Sequence, residues 1–141
     1  ARKAVQRTGQ MALSDDSGLE IPALGGRPGV YSARFAGYGC SYADNNRKVL
    51  RLMKGFERAR RRAVFRCVVA LVTRGGKERL LEGRCPGWMV EGGQGTKGFG
   101  YDPIFRPHGM KGTFAQLSLA QKNKISHRAK AFQRAGAFLR R

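Results

Sequence analysis

Acidic side chains are scarce in this chain of 141 residues: 9 Asp+Glu stand against 28 Lys+Arg, a formal net charge of +19. The sequence pI is close to 11.2. Such an imbalance points first to nucleic acid or another polyanion, and second to a solvated basic surface. Cysteine is also sparse. Cys40, Cys67 and Cys85 are odd in number and lack CxxC spacing. That argues against a zinc site and a disulfide framework, and for buried thiols in a cytoplasmic or other reducing intracellular compartment. No apolar run approaches the ~18 residues that would span a membrane. The longest, Cys67 to Val72, has the length of a buried strand. The opening residues are polar and helical in character, unlike a secretory signal. There is no internal repeat, no linker long enough to divide two domains, and no GxxxxGK[ST] phosphate loop. The 20 glycines lack a G-X-Y period, which excludes collagen and favours a loop-rich globular domain.

What is present reads as one domain of helices and strands. Ala1 to Arg7 resembles the end of a helix, with Gly9 as its terminator. Met11 to Ser14 reads as a short strand running into a polar turn, Asp15-Asp16-Ser17-Gly18, after which Leu19 to Leu24 is extended again. Ser41 to Lys54 reads as a helix capped by Ser41, with Val49, Leu50, Leu52 and Met53 as its apolar face. Arg58 to Arg66 is a basic run, taken as a solvated face, before a strand at Val64 to Thr73 buried on both sides. Gly75-Gly76 turns the chain into Glu78 to Cys85, a hairpin, and Trp88 to Glu91 reads as a further strand. Ser118-Leu119-Ala120-Gln121 fits a capping box that opens one helix to the C-terminus, with Ile125, Ala129, Phe132 and Leu139 on one face. The expected class is α/β (mixed α+β), with a long mixed central sheet flanked by helices and a C-terminal helix that carries site residues.

Three stretches can carry chemistry. Adjacent carboxylates at Asp15 and Asp16 can hold Mg²⁺ or orient a water, provided the chain turns there; on a straight strand they would face opposite ways. An Asx-turn or helix cap is the plainer reading. The glycine-rich run Gly92 to Gly100 can present N–H groups to an anion, or simply close a hairpin. Phe99 and Tyr101, either side of Gly100, can sandwich a purine, or one of them belongs to the core. Asp102 can accept from a base edge or initiate the Asp-Pro turn. Lys122, His127 and Arg128 on the last helix suit phosphate or carbonyl contacts, though each alone reads as a surface group.

Together the pieces are more specific. The chain resembles the inosine triphosphate/xanthosine triphosphate pyrophosphatase family, which clears deaminated purine nucleotides. Three blocks carry the resemblance: Ser14 to Glu20 running into Ala23 to Arg34, then Gly98 to Phe105, then Gln121 to Arg128. It implies Mg²⁺-dependent hydrolysis of ITP, dITP and XTP to the monophosphate and pyrophosphate, by a homodimer. It implies that Asp16 is the general base and a metal ligand, with Asp15 assisting in both. Ser17 would lie beside the substrate, Phe99, Gly100, Tyr101 and Asp102 would hold the base, and Lys122, His127 and Arg128 would contact the 6-oxo edge, sugar or phosphates. Inosine and xanthosine carry a 6-oxo acceptor where adenine carries an amino donor, so a donor there discriminates. Guanine shares the oxo group, so its rejection needs a device near its 2-amino group.

The departures matter too. Family members open with a strand, a Ser/Thr-x-Asn-x-x-Lys loop, a metal-binding Glu and a further helix Lys; none is present. Ala1 aligns just after that lysine, so residues 1–141 read as a single pyrophosphatase-like domain that is incomplete at its N-terminus. Loss of that strand would expose a pairing edge and apolar surface. Lys97 stands where a small residue is usual. The alternative expectation is therefore a repurposed, inactive member that binds RNA or an anionic assembly through its basic surface.

Overall fold

The computed structural model describes residues 1–140. A short helix α1 (Arg2–Thr8) ends on Gly9 in the left-handed region and buries no side chain. Strand β1 (Ala12–Glu20) follows, then the two-residue strand β2 (Pro28–Gly29). Helix α2 (Tyr42–Leu52) begins where Ser41 and Asp44 cap each other's backbone N–H groups. Its Val49 and the adjoining Met53 are fully buried, with Leu50 and Leu52 packed beside them. Strands β3 (Arg62–Val72) and β4 (Glu78–Met89) form the hairpin, and β5 (Phe105–Pro107) completes the sheet. Helices α3 (Leu119–Ile125) and α4 (His127–Leu139) close the chain.

The class is mixed α/β as read from the sequence, but every pairing in the described sheet is antiparallel, in the order β2-β1-β3-β4-β5. The expected mixed sheet is corrected on that point. The strand at Trp88 is not separate either; it is the end of β4. From Ala12 to Gly18 the outer edge of β1 has no strand partner among the described residues.

The polar turn expected at Asp15 to Gly18 does not form. β1 runs straight through it, with Asp15 opposite Val69, Asp16 opposite Val68 and Gly18 opposite Arg66. Ladder pairing overrides the turn propensity of Asp, Ser and Gly. Gly18 is needed in the strand for another reason: a Cβ there would stand 2.6 Å from the Gly29 carbonyl oxygen.

β3 is not buried on both faces. Ala63, Phe65, Cys67, Val69 and Leu71 alternate into the interior, whereas Val64, Arg66 and Val68 are half-buried on the other face. The basic run is not uniformly solvated. Arg61 is buried and donates to the carbonyls of Met53, Met89 and Val90 at 3.0, 2.8 and 2.7 Å. It thereby ties the end of α2 to the end of β4, where the glycine-rich loop departs. Arg66 pairs with Glu82 at 2.9 Å and with Glu20 at 3.4 Å.

The final helix is broken. Ser118 and Gln121 make the expected capping box, but the helix stops at Ser126, which is extended at φ −67°, ψ 152°. Its hydroxyl accepts the Ala129 N–H and caps α4. The face of α4 against the sheet is His127, Ala131 and Ala135. Phe132 and Leu139, expected inside, are 39% and 47% exposed. Close approach explains the difference. A Cβ on Gly83 would lie 2.0 Å from the His127 carbonyl oxygen and 2.5 Å from the Ala131 nitrogen. Only small side chains fit that contact. The remaining core joins Phe65, Phe105 and Phe114, with ring centroids 4.6, 5.3 and 5.9 Å apart.

Candidate active site

A cleft of about 740 Å³ opens between the glycine-rich loop, the start of α4 and β1. It gathers Ser17, Phe99, Gly100, Tyr101, Asp102, Lys122, His127 and Arg128 from three distant parts of the chain. Asp15 and Asp16 do not line it. Asp16 lies in an adjoining recess of about 240 Å³ that shares Ser17 and Gly18 with the cleft. Asp15 reaches the cleft through Arg128, whose Nε donates to its Oδ2 at 2.9 Å.

The loop is held by Asp102. Its Oδ2 accepts the Phe99 N–H at 2.8 Å and also bonds the Lys122 ammonium. Gly98 makes this possible: its φ is +79°, and a Cβ there would be 2.0 Å from Asp102 Oδ2. Asp102 is buried and lines the cleft, and both of these bonds fall on Oδ2, so it holds the loop from within the site. Tyr101 also ties distant parts of the chain together at the cleft. It is 4% exposed, and its hydroxyl donates to the Ser32 carbonyl at 2.8 Å. Burial pushes its phenol well above the usual range. Phe99, 51% exposed, presents its ring in the cleft. The Lys122 ammonium sits 4.6 Å from its centroid and the Arg128 guanidinium 5.6 Å.

His127 is 6% exposed and stacks on Phe65, with centroids 4.6 Å apart and an interplanar angle of 8°. Burial, and then the neighbouring cations Arg128 and Lys122, push its pKa down to about 4. The imidazole is therefore neutral at physiological pH. Its Nδ1 and the Ser17 hydroxyl are buried cleft-lining atoms without a hydrogen-bond partner among the described residues. Buried polar atoms are rarely left so, and these two are suited to a ligand.

Three contributors escaped the sequence reading. Ser32 accepts the Leu19 N–H at 2.9 Å, donates to Gly29 at 2.7 Å and anchors Tyr101. Asn46 on α2 donates to the Gly100 carbonyl at 3.1 Å. Arg61 fixes the root of the loop. Each acts through backbone atoms far away in sequence, for which no local pattern is a signal.

Among the described residues no group of three or more His, Cys, Asp or Glu side chains gathers to hold a metal. With Asp15 turned to Arg128, Asp16 is the carboxylate without a cationic partner at the mouth of the site. That donor set fits Mg²⁺ in its usual enzymic mode, one or two carboxylates completed by substrate phosphates and water. It does not fit an all-protein cage.

Known proteins resemble this chain in sequence and in fold. The dITP/XTP pyrophosphatase of Caldanaerobacter subterraneus subsp. tengcongensis is 51% identical over 121 residues, covering 86% of this chain and 60% of that protein. The dITP/XTP pyrophosphatase of Desulforamulus reducens is 48% identical over 141 residues, covering 100% of this chain and 70% of that protein. The chain thus spans about two thirds of the length of these relatives. The solved Ham1 protein of Staphylococcus aureus superposes with a TM-score of 0.93 at 40% identity, over 99% of this chain and 71% of that one. A family model matches residues 1–138. The family model, the identities and the shared fold lead to one assignment: the chain belongs to the Ham1 family.

Proposed function

We propose that the protein hydrolyses deaminated purine nucleoside triphosphates, namely ITP, dITP and XTP, to the monophosphate and pyrophosphate. The observation that carries this is the exposed Phe99 ring beside a neutral His127 and the cation Arg128, with the carboxylate of Asp16 one recess away. The purine stacks on Phe99. The Arg128 fork donates to the 6-oxo group, and the adenine amino group would instead oppose a donor. That mismatch costs about 1–3 kcal/mol, or roughly 5- to 150-fold in binding. Ser17 and His127 Nδ1 gain the partners they lack. Lys122, held against Asp102, lies beside the nucleotide.

At the phosphate end, Asp16 takes a proton from a water positioned in line with the α-phosphorus. The new P–O bond forms as the bond to the bridging oxygen breaks, and pyrophosphate leaves. Asp16 would hold Mg²⁺ together with the substrate phosphates, and the ion would supply charge neutralisation on the triphosphate. A homodimer in a reducing intracellular compartment completes the proposal, in keeping with three cysteines that are all free thiols. The test is pyrophosphate release by the intact protein with Mg²⁺ from ITP, dITP and XTP, with ATP and GTP as controls. Turnover of the first three and little of the controls is expected; no monophosphate from any of them refutes the proposal.

One observation favours a second reading, binding of single-stranded RNA. Arg62, Trp88 and Arg106 are register partners across β3, β4 and β5 and so share the sheet face opposite α4. The Arg58 guanidinium lies 5.8 Å from the Trp88 ring, and His108 stacks on it at 5.2 Å. Aromatic rings among cations on an open sheet suit unstacked bases. RNA affinity should then fall linearly with salt on logarithmic axes, with a slope of about −0.7 per neutralised phosphate, and weaken in Trp88→Ala. A flat salt response rejects it.

A further inference from the structure

We infer that Asp15 is a positioning residue for Arg128 and not a ligand of the metal; the inference rests on the pyrophosphatase reading of the cleft. The straight course of β1 decides the first half. Asp15 is opposite Val69, which is fully buried beneath α4, so its side chain rises on the helix side of the sheet. Asp16, one residue on, belongs to the other face, in the recess with Glu20, Arg66 and Val68. Two neighbours on a flat strand cannot converge on one ion.

The second half follows from how Asp15 is used. Its Oδ2 accepts from Arg128 Nε at 2.9 Å, and the Cys67 thiol approaches the same oxygen at 3.9 Å. Engagement through Nε leaves Nη1 and Nη2 without a protein hydrogen bond among the described residues. Those two groups are the forked donor pair that reads an oxo group beside a ring nitrogen on a purine edge. Arg128 is also the second residue of α4. The positive end of a helix disfavours a cation there, so an unpaired Arg128 would tend to swing away. The Asp15 carboxylate offsets that repulsion and holds the fork over Phe99. The base reader is thus fixed to the residue adjacent to Asp16, on the same strand.

The test compares Asp15→Asn, Asp15→Glu and wild type in the intact protein. Asp15→Asn should raise the KM for ITP about tenfold and lower the preference for ITP over ATP by a similar factor, because an ion pair becomes a single hydrogen bond from the guanidinium to a neutral amide. It should leave kcat within about threefold and the Mg²⁺ activation constant unchanged, since no transition-state contact is removed. Asp15→Glu, which keeps the anion, should restore part of the KM. A substrate-free readout accompanies these: the Arg128 Nε–H resonance should exchange slowly in wild type and rapidly in Asp15→Asn. A collapse of kcat with a shifted Mg²⁺ requirement would make Asp15 a metal ligand and overturn the inference, as would unchanged kinetics. If wild type fails to hydrolyse ITP, the pyrophosphatase reading falls, and the resonance alone decides the pairing: fast exchange in wild type overturns it.

Discussion

Acidification should destabilise this fold through one side chain. His127 is 6% exposed, stacked on Phe65 of β3, with a pKa of about 4. Unfolded, it titrates near 6.5. Between those values the unfolded chain binds a proton that the folded chain refuses, so stability rises with pH across the window. The contribution is whole above about pH 6.5 and is lost as pH falls towards 4. A gap of about 2.5 units at 1.36 kcal/mol per unit amounts to roughly 3 kcal/mol, a large part of a typical domain's stability. Other groups titrate in the same range, so the difference from His127→Phe is the informative quantity. Phenylalanine keeps the stack on Phe65 and cannot protonate. Urea unfolding of both proteins from pH 7.5 to 3.5 should show wild type losing about 3 kcal/mol relative to the variant. Parallel curves would refute the argument and place the imidazole in contact with solvent.

Other changes separate the structural residues from those facing the ligand. Gly83→Ala puts a Cβ 2.0 Å from the His127 carbonyl oxygen and should cost about 3 kcal/mol or more in urea unfolding, by prising α4 off the sheet. Gly98→Ala meets Asp102 Oδ2 at the same distance and needs a positive φ. It should raise the KM for ITP by displacing the loop that carries Phe99, measured by steady-state kinetics. Phe99→Ala should weaken ITP binding by about 1–3 kcal/mol in calorimetry, the usual worth of base–aromatic stacking. Tyr101→Phe should instead lower stability by about 1 kcal/mol through its lost bond to Ser32, with ITP affinity little changed.

The sequence was most legible where local chemistry dictates structure. Ser41 with Asp44 and Ser118 with Gln121 start helices where their side chains cap the backbone. Gly75-Gly76 turns the β3–β4 hairpin where a turn is needed. The cleft's members were legible as three motifs, and eight of the ten named residues line it. What escaped depends on tertiary partners. Asp15 to Gly18 has turn composition but sits in a ladder with β3. Phe132 looks like core and is left outside because Gly83 brings α4 too close for large side chains. Arg61 looks like surface and is buried because three carbonyls at loop ends need a donor. Tyr101 and Phe99 look equivalent until the Ser32 carbonyl claims one of them.

The most direct test of the proposed chemistry is single turnover of ITP by Asp16→Asn in the intact protein. The amide keeps the size of the side chain in its recess and loses the base. Pyrophosphate release should slow by about 10²–10⁴-fold, the usual worth of a positioned general base, while ITP still binds at the Phe99 cleft. Release at the wild-type rate would contradict the assignment and remove Asp16 from the reaction.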